Sequence, residues 1–290
     1  MLEGFSEARI DVGEVSLHVR TGGEGPPLLL LHGYPQTGAM WGPIAEELAK
    51  RFTVVIPDLR GYGRSDKPES DANHAPYSKR AMAGDMVRLM AHLGHERFQA
   101  AGHDRGGRVL HRLCLDHPER VTKAAVLDIV PTATVFATTD KKLATAYYHW
   151  FFLIQPTPFP ETLIGGDPLY FLHHTLGAWG TGLSAYAPDA LAEYEAAFQD
   201  PATIHATCED YRAAATIDMA HDAADEGATI QCPLLVLWGA NGLMEKIYDV
   251  GETWADKAEE VSARPISGGH FLVEESPAET LEAFTAFFEA

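Results

Sequence analysis

The fold of this chain can be inferred from one short stretch, Gly102-His103-Asp104-Arg105-Gly106-Gly107. Its first glycine ends the apolar run Phe98 to Gly102, which is typical of a buried strand. Its last three residues begin the segment Arg105 to Asp116, where apolar residues recur at helical spacing before the stop signal His117-Pro118. A sharp strand-to-helix turn with flanking glycines is typical of a nucleophile elbow, G-x-S-x-G, and here aspartate replaces the serine. We therefore interpret Asp104 as a carboxylate nucleophile.

A carboxylate nucleophile implies a chemistry different from that of serine. It needs no proton removed before it attacks a saturated carbon, and the alkyl ester that forms must then be hydrolysed. The alternative is structural, because aspartate at a strand-to-helix turn commonly caps the helix. Other segments must decide between the two interpretations.

Two residues would complete a triad in the chain order nucleophile, acid, histidine. His270 lies in a Gly-Gly-His turn near the C-terminus, where this arrangement has its base. Asp128 lies near the end of the apolar run Ala124 to Ile129 and is the predicted acid. The more usual acid position, after the strand that ends near Trp238, has Asn241 and Gly242, and Asp249 is a weaker candidate within a helical pattern. The chain therefore favours Asp104, Asp128 and His270.

The turn Leu31-His32-Gly33-Tyr34-Pro35 follows another apolar run and matches an oxyanion-hole turn. In such a site one backbone N–H comes from this turn and the other from the residue after the nucleophile. These would be the amides of Tyr34 and Arg105. The turn and the triad together argue against a capping role alone.

The rest of the chain predicts an α/β fold, with a mostly parallel, doubly wound sheet and helices on both faces. Ala8 to Arg20 is interpreted as an antiparallel hairpin that enters the sheet. Strand patterns stop at about residue 130 and resume near Ile230, so we predict a core of residues 1–130 and 223–290 and an inserted helical cap of residues 131–222. The predicted strands are Leu28–Leu31, Thr53–Ile56, Phe98–Gly102, Ala124–Ile129 and Leu234–Trp238, and the predicted core helices are Trp41–Lys50, Ser78–Leu93 and Arg105–Asp116.

Composition narrows the classes of partner. The 290 residues carry a formal net charge of -19, which disfavours nucleic acid and anionic lipid. No apolar run is long enough for a spanning helix and no signal peptide is apparent, so a cytoplasmic protein with no membrane partner is expected. The three cysteines are scattered, which predicts neither a disulfide framework nor a metal site.

Three motifs carry a resemblance that extends over essentially the whole chain: 32–35 (HGYP), 58–65 (DLRGYGRS) and 102–107 (GHDRGG). They resemble the dehalogenase and epoxide-hydrolase branch of the α/β-hydrolase superfamily. Within it, His-Asp-Arg-Gly-Gly-Arg at 103–108 is most similar to the fluoroacetate (haloacetate) dehalogenase family. The resemblance implies an α/β-hydrolase fold and hydrolysis of small 2-haloacids, without metal or organic cofactor.

The resemblance also implies binding roles for several side chains. Arg105 and Arg108 would hold the carboxylate of a small anionic substrate, since a guanidinium forms a planar fork and positions three apart share a helix face. Pairing of these arginines with acidic neighbours is the structural alternative. Haloalkane dehalogenases, which take uncharged substrates, have tryptophan after the nucleophile, and Arg105 argues against that class.

The halide would bind to His149, Trp150 and Tyr211, each of which offers an N–H or O–H donor. The tyrosine is the least certain of the three, because other tyrosines are available: Tyr147, Tyr148 and Tyr186. The segment Asn241 to Met244 departs from the pattern of the family, so the sequence does not decide how wide a substrate the site accepts. A homodimer is expected for the family and for soluble enzymes in general.

Two other functions stay open from the sequence. An epoxide hydrolase would use the same triad and a pair of acidic tyrosines, for which Tyr148 and Tyr211 are candidates. A non-catalytic receptor on the same scaffold would bind a ligand without turnover.

Overall fold

The computed structural model describes residue 2 and residues 4–290. These residues form an eight-stranded sheet. The strands are β1 (Phe5–Asp11), β2 (Ser16–Gly22), β3 (Pro27–Leu31), β4 (Thr53–Pro57), β5 (Phe98–His103), β6 (Val121–Leu127), β7 (Leu234–Gly239) and β8 (Val261–Ile266). Their order across the sheet is β1-β2-β4-β3-β5-β6-β7-β8.

The pairing confirms the predicted fold class. β1 and β2 form the antiparallel hairpin, β2 pairs antiparallel with β4, and the other neighbours are parallel. Strands β3 to β7 are short apolar runs buried almost throughout, as expected for parallel strands covered on both faces. The sequence analysis missed β8, because this edge strand is mostly exposed and its residues VSARPI form no apolar run. β6 also begins and ends earlier than predicted, so that Asp128 follows the strand directly.

Helices connect the strands and cover the sheet. They are α1 (Gly42–Leu48), α2 (Lys79–His92), α3 (Arg105–Asp116), α4 (Thr132–Thr138), α5 (Lys141–Ala146), α6 (His149–Phe152), α7 (Phe159–Gly166), α8 (Pro168–Trp179), α9 (Pro188–Phe198), α10 (Pro201–Ala215), α11 (Ile217–Ala224), α12 (Leu243–Ile247), α13 (Val250–Ala255), α14 (Leu272–Glu275) and α15 (Pro277–Phe288). Short 3₁₀ turns lie at Gly38–Trp41, Ala75–Tyr77 and Leu183–Ala185.

The segment from α4 to α11, here called the helical insertion, lies between β6 and β7. Hydrogen bonds tie it to strand β2 and to the loops after β3 and β4. Glu193 of α9 accepts from Arg20 of β2 and from Thr37 at 2.6 Å each, and Asp210 of α10 accepts from Tyr62 at 2.6 Å. The predicted boundaries at 130/131 and 222/223 stay predictions, as do the homodimer and the cytoplasmic location. Among the described helices, none is both long and apolar enough to span a bilayer.

Candidate active site

Asp104 occupies the turn between β5 and α3 in a backbone conformation that L-residues rarely adopt, with φ 46° and ψ -114°. Two glycines make this turn possible. A Cβ on Gly102 would lie 2.5 Å from the Gly106 carbonyl oxygen, and one on Gly106 would lie 2.4 Å from the carbonyl oxygen of His32. The Asp104 side chain makes no capping hydrogen bond to α3. The tight packing of the turn holds the strained residue with its carboxylate at the end of the strand.

His270 and Asp128 lie beside this carboxylate. Asp128 directly follows β6, the strand next to β5, and His270 lies in the loop after β8. The His270 Nδ1 is 2.6 Å from Asp128 Oδ2, and Asp128 Oδ1 accepts the N–H of Gly239 at 3.0 Å. The His270 Nε2 lies 4.0 Å from Asp104 Oδ2 and has no hydrogen-bond partner among the described residues. The structure therefore brings together the three residues predicted as a triad and leaves Nε2 free for proton transfer.

The charges of this group are coupled. Burial favours the neutral form of Asp104, but His270 and the arginines of α3 outweigh burial and lower the pKa of its carboxyl below the ordinary value. Burial likewise disfavours the charged form of His270, but the hydrogen bond to Asp128 and the charge of Asp104 raise its pKa above the ordinary value. Asp104 is therefore held as the carboxylate that a nucleophile needs.

The turn after β3 approaches Asp104 closely. The backbone N–H of Tyr34 donates to Asp104 Oδ1 at 2.9 Å, and a Cβ on Gly33 would lie 2.5 Å from the Asp104 Cβ. The other predicted amide, that of Arg105, belongs to the first turn of α3. The two carboxylate oxygens therefore differ, since Oδ1 is held by a donor and Oδ2 faces His270.

Arg105 is fully buried and pairs with an acid that the sequence analysis missed. Its Nε and Nη2 donate to the carboxylate of Asp210 at 3.0 and 2.7 Å, while Nη1 has no partner among the described residues. The guanidinium lies 4.1 Å from the ring centre of Tyr211. Asp210 also pairs with Lys79 and accepts from Tyr62. Burial opposes its ionisation, but Arg105 and Lys79 lower the pKa of Asp210 far below the ordinary value. The signal for Asp210 in the sequence was its position directly before Tyr211.

Arg108 is also buried but has neutral partners. Its Nη1 donates to the Val130 carbonyl and to Thr132 Oγ1 at 3.0 Å each, and its Nε has no partner. In the described part of the chain no carboxylate lies within 4.0 Å of its guanidinium nitrogens. Burial and the nearby Arg105 lower the pKa of Arg108 to about 10, which still leaves it charged at neutral pH. The alternative interpretation, that these arginines pair with acidic residues, therefore holds for Arg105 but not for Arg108.

The helical insertion presents three buried polar atoms that lack partners among the described residues: His149 Nδ1, Trp150 Nε1 and Tyr211 Oη. Trp150 and Tyr211 are donors, and His149 Nδ1 is one in the tautomer that carries its proton there. The ring centre of Tyr211 is 5.6 Å from that of His149 and 6.0 Å from that of Trp150. Burial lowers the pKa of His149 well below the ordinary value, which makes its imidazole neutral. The three residues predicted as a halide pocket thus lie together.

The other tyrosines lie in different surroundings. Tyr186 is occupied, since its hydroxyl donates to the Leu176 carbonyl at 3.0 Å. Tyr148 is only half-buried, with its ring 6.5 Å from that of His174. Tyr147 does border the group, 5.1 Å from the His149 ring. Tyr211 therefore fits the predicted position better than Tyr148 or Tyr186.

A cavity of about 470 Å³ reaches His270 and Asp128. Its walls include Tyr147 and Trp179, and the ring centre of Trp179 lies 4.1 Å from that of His149. Asn241, Gly242 and Leu243, the segment that departs from the family pattern, line the same cavity. This loop therefore forms part of the cavity wall next to Asp128 and His270.

A mostly parallel sheet with a carboxylate at the elbow and a hydrogen-bonded Asp–His pair in the loops after β6 and β8 defines an α/β hydrolase. The family model described as alpha/beta hydrolase fold matches residues 26–277. A fluoroacetate dehalogenase from Burkholderia sp is 48% identical over 99% of this chain and 95% of its own. A soluble epoxide hydrolase from Corynebacterium sp. (strain C12) is 30% identical over 94% of this chain and 93% of its own. A solved structure from Nostoc sp PCC 7120, described as an alpha/beta hydrolase, has a TM-score of 0.98 and 55% identity over 99% of both chains. The chain therefore belongs to the α/β-hydrolase fold family and, within it, to the fluoroacetate dehalogenase family.

Proposed function

We propose that this protein hydrolyses small 2-haloacids, converting fluoroacetate or chloroacetate into glycolate and halide through a covalent ester on Asp104. The observation that carries the proposal is Arg108, a buried cation beside the nucleophile with no carboxylate partner among the described residues. Burying an unpaired charge is costly, and a bound carboxylate would offset that cost. The free Nη1 of Arg105 offers a further donor to the same anion. The relative named fluoroacetate dehalogenase supports the same substrate class.

In the first step Asp104 Oδ2 attacks the carbon that bears the halogen, from the side opposite the carbon–halogen bond. The new C–O bond forms as the C–X bond breaks, and the bonding electrons leave with the halide. Donors from His149, Trp150 and Tyr211 would stabilise the charge that develops on the halogen. The organic product of this step is an ester between Asp104 and glycolate.

In the second step His270 Nε2 takes a proton from a water whose oxygen attacks the ester carbonyl carbon of Asp104. The negative charge develops on the oxygen that Tyr34 N–H contacts in the free enzyme. When the intermediate collapses, the bond between the Asp104 carbonyl carbon and the glycolate oxygen breaks, and glycolate leaves with the proton from His270. Asp104 keeps the second proton of the water as a carboxylic acid and loses it to solvent, which restores the carboxylate. Ester formation also removes the negative charge that helps to raise the His270 pKa, so His270 releases its proton more easily when a base is needed.

Epoxide hydrolysis is the second candidate, because the Corynebacterium relative is named a soluble epoxide hydrolase. The unpartnered hydroxyl of Tyr211 could protonate an epoxide oxygen. Tyr148, the other tyrosine predicted for that role, is only half-buried, and Arg108 favours a charged substrate over a neutral one.

The test is to incubate the protein with fluoroacetate, chloroacetate and styrene oxide, and to measure released halide and diol. Many turnovers of halide release with glycolate as the product are expected. Diol from styrene oxide without halide from either acid would replace the proposal with epoxide hydrolysis. Binding of the acids without turnover would favour the receptor.

A further inference from the structure

His103, the residue before the nucleophile, is buried between the elbow and the base. Its Nε2 lies 2.8 Å from the backbone carbonyl oxygen of His270. Because a carbonyl oxygen only accepts, Nε2 must carry the proton. Burial and the charge of His270 lower the pKa of His103 to about 3, so the ring is neutral, and its Nδ1 has no partner among the described residues. His103 thus holds one tautomer and donates one hydrogen bond, to the base.

The backbone around His270 is anchored on both sides. The His270 N–H donates to the Trp179 carbonyl at 3.1 Å. The Glu275 carboxylate accepts the N–H of Gly269 at 2.6 Å and that of Phe271 at 3.1 Å. The bond from His103 has a different effect, because it joins this loop directly to the residue that precedes Asp104. The two rings also pack, with 4.6 Å between their centres.

We infer that His103 is a positioning residue that holds His270 in register with the ester carbonyl of Asp104. Asp128 fixes the ring of His270 through Nδ1, and His103 fixes its backbone through the carbonyl, so the two anchors together set where Nε2 lies. The neutral state of His103 matters as well. His270 becomes an imidazolium while it holds the proton of the attacking water, and a second cation in contact with it would oppose that charge. This role rests on the proposed function.

The role predicts an effect confined to one half of the reaction. Ester formation uses Asp104 and the halide donors and needs no proton transfer by His270. Hydrolysis of the ester needs Nε2 correctly placed, and a displacement of about 1 Å can cost up to about 100-fold in rate. Loss of the His103 donor should therefore slow hydrolysis and spare halide release in the first turnover.

The experiment compares His103→Gln with His103→Asn, which differ by one methylene. The glutamine amide can reach the position of Nε2, whereas the asparagine amide is too short and lies near the position of Nδ1. His103→Phe, which keeps a ring and removes the donor, is a third variant. Rapid-quench halide assays with chloroacetate measure the first turnover and the steady state, and mass spectrometry of the quenched protein measures the carboxymethyl ester.

The expected result is a full halide burst in His103→Asn and His103→Phe, with steady-state turnover reduced about 10- to 100-fold and ester accumulating, and with turnover largely restored in His103→Gln. His270→Asn, which removes the base, should accumulate the same ester. Equal loss of burst and turnover, or unchanged turnover in His103→Asn, overturns the inference. Halide release by the unaltered protein tests the proposed function separately, so a failure of that function is recognised before any variant is compared.

Discussion

The two sides of the candidate site differ in how their polar groups are satisfied. On the side of the sheet, Asp104 and Asp128 accept backbone N–H groups, and His270 bonds to Asp128. On the side of the helical insertion, His149, Trp150 and Tyr211 keep buried donors that have no partner in the described part of the chain. A buried donor left unpaired costs about 1 to 3 kcal/mol. The sheet thus arranges the reacting groups, while the insertion offers donors at a cost in stability that a bound anion would offset.

This difference suggests how one scaffold serves several substrates. Relatives named a dehalogenase and an epoxide hydrolase both align with more than nine-tenths of this chain. The groups on the sheet suit either reaction, because both need a carboxylate nucleophile and a base. Under the proposed function, we expect the donors of the insertion and the arginines of α3 to select the substrate.

The sheet side is tested most strongly by Asp104→Asn. An amide oxygen is a poor nucleophile, so halide release should fall by about 10⁴-fold or more, in the first turnover as well as in the steady state. Circular dichroism and a retained affinity for the carboxylate ligand acetate would show that the site is intact. Halide release at a normal rate in this variant would rule out the covalent scheme.

The arginines of α3 offer a matched pair. Arg108→Met should raise KM for chloroacetate by about 30- to 1,000-fold, since a buried charge-assisted bond is worth about 2 to 4 kcal/mol. Arg112, one turn further along α3, pairs with Asp116, Asp222 and Asp225. Arg112→Met should lower thermal stability and leave KM unchanged. A similar KM in the two variants would remove the assigned role of Arg108.

The insertion side is tested by Tyr211→Phe, which removes one donor and keeps the ring against Arg105. Halide release should fall about tenfold, and more for fluoroacetate than for chloroacetate, because fluoride is the stronger hydrogen-bond acceptor. Tyr186→Phe is the control, since the hydroxyl of Tyr186 is bonded to the Leu176 carbonyl. Equal losses on the two substrates would argue that Tyr211 only packs.

The buried acid Glu274 makes hydrogen bonds to both the sheet side and the insertion side. Glu274 bonds to Tyr194 of α9 and to Gln36 in the turn after β3, and burial raises its pKa to about 8. The folded protein therefore binds this proton more tightly than the unfolded chain, so the free energy of unfolding should fall as pH rises from about 4.5 to about 8. Glu274→Gln should lose less stability than the unaltered protein between about pH 5 and pH 9 in urea titrations, and exposed Glu282→Gln should behave like the unaltered protein.

If Glu274→Gln followed the same pH dependence as the unaltered protein, Glu274 would not be the titrating group. This is the smallest of the expected effects, because it concerns the contact between the two sides and not the groups that react.

The sequence alone determined the features that are local in the chain. Glycines around Asp104, between an apolar run and a helical pattern, were enough to predict the elbow, because a tight turn restricts its own residues. The apolar runs of the parallel strands could be predicted because burial on both faces of the sheet leaves a local pattern. Asp128 and His270 were predicted from their chain order after Asp104. An exposed edge strand such as β8 lacks that local pattern and was missed.

Only the tertiary structure decided which side chains pair over long distances in the chain. Arg105 and Arg108 look equivalent in the sequence, yet one bonds to Asp210, 105 residues away, and the other has no carboxylate partner among the described residues. The bond between His103 and His270 spans 167 residues. Such contacts depend on how helices and loops pack in three dimensions, and no local pattern specifies them. The elbow could therefore be predicted from its six residues and the strand and helix patterns beside them, whereas the contacts around it required the fold.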